Sequence, residues 1–235
     1  MKFISDLHLH TVASQHAYST ISEYAAYANT VGVELIGITD HGPAMLDAPR
    51  QYYFSNLRIL PKTINGVRIL RGAELNILDE KGSVDLIADI QRNLDYTIAS
   101  YHLGVVPFQY TKEQFTSGYI GACDNDFVKI IGHPDNPVIP FDHESVLVKA
   151  RETDTLLEMN NASYGYVRPG SYEEGLKLFS LAKKLGNYII VNSDAHYHED
   201  LLNFKNAMKL IKEIDFPSDR IVNTSKELMQ RFFNV

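Results

Sequence analysis

Apolar, β-branched runs alternate with amphipathic stretches along almost the whole chain. This is the pattern of repeated β-α units around a parallel sheet, and few other folds accommodate it. The runs predict seven strands: about Lys2–Ser5, Glu34–Thr39, Val67–Arg71, Tyr96–Ser100, Phe127–Ile131, Thr155–Met159 and Tyr188–Val191. Helices are predicted between them at about Ile21–Val31, Pro49–Leu60, Asp85–Leu94, Lys112–Cys123, Glu144–Glu152 and Tyr172–Leu185, the last closed by Gly186. Asp79–Gly82 is a turn signal that predicts a small hairpin within Leu75–Val84. The tail adds a helix near Leu202–Ile214, a strand-like run Arg220–Val222, and a last helix. Thr224 and Glu227 have capping-box spacing at the start of that helix.

The chain has 235 residues, 45% of them hydrophobic, which is enough for a sizeable core. One domain spanning residues 1–235 is the expectation. No apolar run approaches membrane-spanning length, so no membrane partner is expected. Lys2 and Asp6 leave little apolar sequence for a secretory leader, and a cytoplasmic location fits. The single cysteine, Cys123, excludes an intramolecular disulfide and reads as a small buried hydrophobe. The formal net charge is −7 and no basic block appears, which disfavours nucleic acid as a partner. A small anionic substrate held by metal ions is compatible with that charge, because local ions outweigh net charge.

The chemistry-bearing residues keep a fixed phase with the predicted strands. His8 and His10 follow the first strand, and i, i+2 spacing in extended chain projects both imidazoles to one face. Asp40 and His41 follow the second strand, and Glu74 the third. His102 follows the fourth and His133 the fifth, whereas Asp194 and His196 follow the seventh. After the sixth come only Asn160 and Asn161. In a β/α barrel the C-terminal strand ends converge on one face, where active sites form. A solvated surface would scatter these histidines through helices and loops, so the phase points to one shared metal site. Imidazole-rich ligand sets favour Zn, Fe or Mn over Mg or Ca.

These residues resemble the polymerase and histidinol phosphatase (PHP) family of metal-dependent phosphoesterases. The matching pieces are Asp6-Leu7-His8-Leu9-His10-Thr11 with His16 behind it, Thr39-Asp40-His41, Gly72-Ala73-Glu74, Ser100-Tyr101-His102, Gly132-His133-Pro134 and Ser193-Asp194-Ala195-His196. They run in family order from residue 6 to residue 196. The resemblance implies an α/β fold, a distorted, TIM-like (β/α)7 barrel, of the small stand-alone phosphatase branch. It implies three divalent transition metals, with Zn the leading choice and Mn or Fe the others. By position, His8, His10, Glu74 and Asp194 would hold the first ion, and Glu74, His102 and His133 the second. His16, His41 and His196 would hold the third, with Glu74 bridging the first two. The implied activity is hydrolysis of small phosphomonoesters by a metal-bridging hydroxide, with Glu74, Asp194 and His196 acting through the ions. Histidinol phosphate and nucleotides are alternative substrates within the family, and an exonuclease is a further alternative.

Arg168, in the loop after the ligand-free sixth strand, is a candidate phosphate contact. Asp6 and Asp40 precede ligating histidines and are candidates to orient imidazoles. Tyr164 and Tyr166 are candidate pocket residues. His143 and His198 have no family match and are expected to face solvent. An amidohydrolase-type barrel also begins with H-x-H, but it places a bridging lysine after strand four, where this chain has Ser100-Tyr101-His102. A metal-binding or regulatory module without turnover is the rival from another class.

Overall fold

The computed structural model describes residues 1–106 and 109–235. Its strands are β1 (Ser5–Asp6), β2 (Leu35–Ile38), β3 (Thr63–Ile64), β4 (Val67–Arg71), β5 (Glu74–Asn76), β6 (Thr97–Ser100), β7 (Val128–Ile131), β8 (Leu156–Asn160) and β9 (Ile189–Asn192). Helices α1 (Ile21–Val31), α2 (Gln51–Asn56), α3 (Ala88–Gln91), α4 (Lys112–Cys123), α5 (His143–Glu152), α6 (Ser171–Leu185), α7 (Lys205–Ile214) and α8 (Lys226–Phe233) alternate with them. One sheet has the order β1-β2-β4-β3 and the other β5-β6-β7-β8-β9. All pairings are parallel except the short β3–β4 hairpin.

Together the sheets form the distorted, TIM-like ring, but no continuous ladder closes it. They meet at Gly72–Ala73, between β4, which is the predicted third strand, and β5, which the sequence reading does not foresee. Backbone pairing continues across this junction: Gly72 N donates to Ile38 O, and Glu74 N to Asp40 O. The opposite seam, between β1 and β9, has a single bridge, Leu9 to Ala195. Side-chain amides complete it. Asn192 Oδ1 accepts from Leu7 N at 2.9 Å, and Asn223 Nδ2 donates to Ser5 O at 2.9 Å and Val191 O at 2.6 Å.

This seam explains two departures from the predicted elements. Ile4 N pairs with Asn223 O, so the first strand starts late. The strand-like run Arg220–Val222 is a pair of tight turns with one bridge, Ile189 to Ile221, because Asn223 must turn its amide into the seam. Ser225, not Thr224, caps α8, accepting from Leu228 N at 3.4 Å. Asp85 starts no helix either. Its carboxylate accepts from Asn76 N and Ala44 N, and α3 shrinks to Ala88–Gln91. The predicted hairpin is reduced to one antiparallel bridge, Ile77 to Val84.

Inside the ring, chemistry changes with height. Strand side chains alternate faces, so Leu156, Glu158 and Asn160 of β8 share the interior, as do Ile190 and Asn192 of β9. The lower layer is apolar: Leu7, Leu70, Ile98, Ile130, Leu156 and Ile190 pack against Met229, Phe232 and Phe233 of α8, which plugs the N-terminal end. Tyr96 crosses this layer and donates to Leu7 O at 2.6 Å. A Cβ on Gly37 would meet its hydroxyl oxygen at 2.0 Å, so only glycine fits there. Outside, Ile131, Leu157, Met159 and Val191 pack under α4–α7, with Cys123 buried in the same cluster. Among the described residues, no helix is long and apolar enough to cross a membrane.

Candidate metal centre

Above the apolar layer, the strand ends bring together eight of the nine residues matched by position. Glu74, at the start of β5, is 1% exposed and lies at the middle. Its Oε1 is 2.9 Å from His133 Nε2 and 3.3 Å from His102 Nε2. Its Oε2 is 2.8 Å from His41 Nδ1, 3.4 Å from His8 Nε2 and 3.5 Å from His10 Nε2. Each carboxylate oxygen therefore faces its own set of imidazoles. Asp194 Oδ1 completes the side nearest β1, 3.2 Å from His10 Nε2 and 3.6 Å from His8 Nε2. His196 stacks on His10 with ring centroids 4.3 Å apart. His16 stands at the rim, its side chain 41% exposed, with Nε2 3.0 Å from His196 Nε2.

Two of these residues sit on unusual backbone. His133 has φ 29° and Asp194 φ 59°, in the left-handed region that non-glycine residues seldom adopt. Each is the second residue past a strand, β7 or β9, and the turn aims its side chain inward. Strain at positions that place functional groups is a recurrent feature of active sites. Gly132 contributes by being small. A Cβ there would meet Ser100 Oγ at 2.1 Å, and that hydroxyl donates to Glu74 Oε1 at 2.8 Å.

The imidazoles are oriented from behind. His8 Nδ1 donates to Glu158 Oε1 at 2.7 Å, and His102 Nδ1 to Asn76 Oδ1 at 2.8 Å. His16 Nδ1 donates to Asp47 Oδ2 at 2.5 Å, and His196 Nδ1 to Asp194 O at 2.9 Å. Each such bond fixes the tautomer and leaves Nε2 as a lone pair turned toward the centre. His41 is reversed and presents Nδ1. Among the described residues, the buried atoms His8 Nε2, His10 Nε2 and His102 Nε2 make no hydrogen bond, and His41 Nδ1 and Glu74 Oε2 face each other at 2.8 Å without hydrogen-bond geometry. Buried polar atoms without partners are costly, and five in one spot call for a cation.

Three groups offer ligand atoms within 4.8 Å of one another: His8, His10 and Asp194; His10, His41 and His196; His41, Glu74 and His102. His10 and His41 each belong to two, so the groups form one continuous cluster. The donor set of imidazoles and carboxylates fits Zn, Mn or Fe.

Electrostatics agree with that fit. Burial pushes the Glu74 carboxyl up, but His102, His8 and His41 together pull it well below the usual carboxylate range. Burial opposes charge on Asp194 too, yet His8, His10 and Arg168 hold it well below its ordinary value. Burial lowers His10 far below the usual imidazole range, helped by His41 and His196, which keeps it neutral. Burial, then Arg168, pushes His133 down to about 4. His8 goes the other way: burial opposes its charge, but Glu158, Glu74 and Asp194 raise it well above the usual range. A divalent cation among the same carboxylates would supply the positive charge in place of that proton.

Several residues stand elsewhere than the sequence suggests. Asp6 and Asp40 touch no imidazole. Asp6 accepts from Ser193 N and Leu202 N, and burial pushes its carboxyl up to about 6. Asp40 accepts from Thr11 N, Ser14 Oγ and Tyr53 OH. Its reach to an imidazole is indirect, through Ser14 Oγ, which lies 3.4 Å from His10 Nδ1. His143 is half-buried, with Nε2 3.2 Å from Glu174 Oε1, and His198 pairs with Ser19 Oγ at 2.9 Å. Neither simply faces solvent. Tyr166 lines the cavity at the centre, whereas Tyr164 is half-buried and donates to Asp135. Arg168 is 15% exposed and lines the same cavity, its guanidinium 3.3 Å from Asp194 Oδ2.

Glu158 is the residue the sequence reading passes over. The sixth strand has no ligand at its end, but Glu158 within it is fully buried. It bonds His8 Nδ1, His133 N, Asn160 Nδ2 and Asn192 Nδ2. A charged residue inside the otherwise apolar run Thr155–Met159 is the signal that marks it.

The model of the PHP domain family matches residues 6–167. A protein of Clostridium novyi (strain NT) named as a probable phosphatase is 42% identical over 227 residues, 97% of this chain and 93% of its own length. A probable phosphatase of Thermoanaerobacter sp. (strain X514) is 44% identical over 224 residues, covering 95% of this chain and 91% of its own length. Among solved structures, a histidinol phosphate phosphatase of Lactococcus lactis complexed with Zn, L-histidinol and phosphate superposes with a TM-score of 0.61. That match covers 91% of this chain and 94% of the other at 18% identity, a likeness of fold. With the family model covering most of the chain and close relatives matching nearly all of it, this chain belongs to the PHP domain family.

Proposed function

We propose that the chain is a metal-dependent phosphatase that hydrolyses small phosphomonoesters at a centre of up to three divalent transition ions. One observation carries the reading: five buried ligand atoms of His8, His10, His41, Glu74 and His102 converge without hydrogen-bond partners. Ions bound there would make hydroxide available near neutral pH and offset charge on the phosphoryl oxygens. His8, His10 and Asp194 would hold one ion, His102 and His133 a second with Glu74 between them, and His41 and His196 a third, with His16 at the rim. The names of the relatives and the zinc in the Lactococcus neighbour support the same reading.

The chain's own residues supply the rest. Glu158, Asn76 and Asp47 fix imidazole tautomers, so the centre is preorganised before substrate arrives. Arg168 borders the cavity beside Asp194, where a planar guanidinium can take two oxygens of the transferred phosphoryl group. The cavity opens to solvent, so water can replace the departing alcohol. No hydroxyl or thiol nucleophile is needed: Cys123 is buried on the outer side of the sheet, and burial pushes its thiol up to about 12.

The test is phosphate release from p-nitrophenyl phosphate by protein loaded with Zn or Mn. Arg168→Ala should raise KM and lower kcat/KM by about tenfold or more while leaving metal content unchanged. Unchanged kinetics would remove Arg168 from substrate contact. No release by fully loaded protein, on this or a panel of other phosphomonoesters, would favour a metal-binding module without turnover.

A further inference from the structure

The cavity over the metal centre, about 550 Å³, is larger than a phosphate alone requires. The wall away from the metal ligands therefore faces the alcohol part of a substrate, and its chemistry is uneven. It presents the Asp200 carboxylate beside the amides of Asn203 and Asn206. Among the described residues of the lining there is no lysine, and Arg168, the one arginine, lies against Asp194. Asp200 Oδ1 takes a long bond from Asn203 Nδ2, at 3.4 Å, and Oδ2 accepts from no group among the described residues.

The turn that carries Asp200 is braced on both sides. His198 N donates to Ser19 Oγ at 3.0 Å before it, and Leu202 N donates to Asp6 Oδ2 at 3.1 Å after it. Asn161 Oδ1 accepts from Asn206 N at 2.8 Å and Ala207 N at 3.1 Å, which fixes the start of α7 beside the same wall. The backbone that carries Asp200 is thus held beside the cavity, and its exposed carboxylate stands at the rim. A second anionic group on the substrate would meet this charge with no lysine or free arginine in the described lining to pair with. Hydroxyl or amine donors would instead find a carboxylate and amide oxygens as acceptors.

We propose that Asp200 is a specificity residue that filters leaving groups by charge. The preferred substrates are phosphomonoesters of uncharged or cationic polar alcohols, and those whose alcohol carries a second anion are rejected. This rests on the phosphatase reading above and adds to it the class of leaving group.

A matched pair of probes tests it. Glycerol 3-phosphate and 3-phosphoglycerate share a carbon skeleton and differ by a hydroxymethyl group against a carboxylate. Metal-loaded protein should favour glycerol 3-phosphate in kcat/KM by about tenfold or more, the size expected of one like-charge contact at partial solvent exposure. Asp200→Asn should shrink that ratio to about twofold, chiefly through a lower KM for 3-phosphoglycerate, with metal content unchanged. Asp200→Glu should keep the preference. Asn203→Asp adds charge to the same wall and should widen it, which provides a test even if Asp200→Asn folds poorly. Equal use of both probes by the unaltered protein, or a ratio that Asp200→Asn leaves intact, would overturn the filter while leaving the phosphatase reading standing. No hydrolysis of either probe or of p-nitrophenyl phosphate would overturn the phosphatase reading, and the filter with it.

Discussion

Glu74→Gln is expected to cost the protein at least one metal ion and about a hundredfold or more in phosphate release, with the fold intact. Its two oxygens face different imidazole sets, His133 and His102 on one side and His41, His8 and His10 on the other. A carboxylate can join two cations through its two oxygens, whereas a neutral imidazole offers one nitrogen to one ion. The amide keeps the size but removes the charge that lets two cations sit close together. His143→Ala is the natural control, because His143 pairs with Glu174 away from the centre and should retain near-normal activity. Circular dichroism, metal content and phosphate release on the same preparations decide the matter. Full metal and full activity in Glu74→Gln would refute the bridging assignment.

Glu158→Gln should weaken metal binding by about ten- to a hundredfold, although Glu158 belongs to none of the three ligand groups. The carboxylate fixes His8 through Nδ1 and holds the backbone of His133, so two proposed ligands from distant strands depend on one side chain. Glu158→Ala should be worse. It strips partners from His8, His133 N, Asn160 and Asn192 at once, and each buried group left unpaired costs about 1–3 kcal/mol. The expected result is a metal-free protein destabilised by several such increments, measurable as a lower urea midpoint with unchanged slope. A Glu158→Ala protein with ordinary stability and metal affinity would show that His8 and His133 are positioned without it.

The contrast between Glu74 and Glu158 shows what was legible in the sequence. Residues at strand ends announce themselves, because turning points of the hydrophobic pattern locate the strands and polar residues just beyond them fall on one face. His8, His10, His41, Glu74, His102, His133, Asp194 and His196 are of this kind. Groups that orient imidazoles are set by register between strands far apart in sequence. Glu158 meets His8 across 150 residues, and Asn192 meets Leu7 across 185. No local pattern encodes such pairs. Asp40, adjacent in sequence to His41, points away from that ring and reaches His10 only through Ser14, and Asp6, two residues before His8, is taken up by the backbone of Ser193 and Leu202, which sequence spacing cannot foretell. The seam between β1 and β9 was equally hidden, because it is closed by the side chain of Asn223 from the tail rather than by a strand.

The central claim is a multinuclear centre whose ions work together. It is tested most directly by stripping the protein with a chelator, adding Zn or Mn in measured equivalents, and following phosphate release against bound metal. Activity should be absent from the stripped protein, stay low at one equivalent, and rise to a plateau between two and three equivalents per chain. A plateau at one equivalent, or full activity in the metal-free protein, would contradict the account.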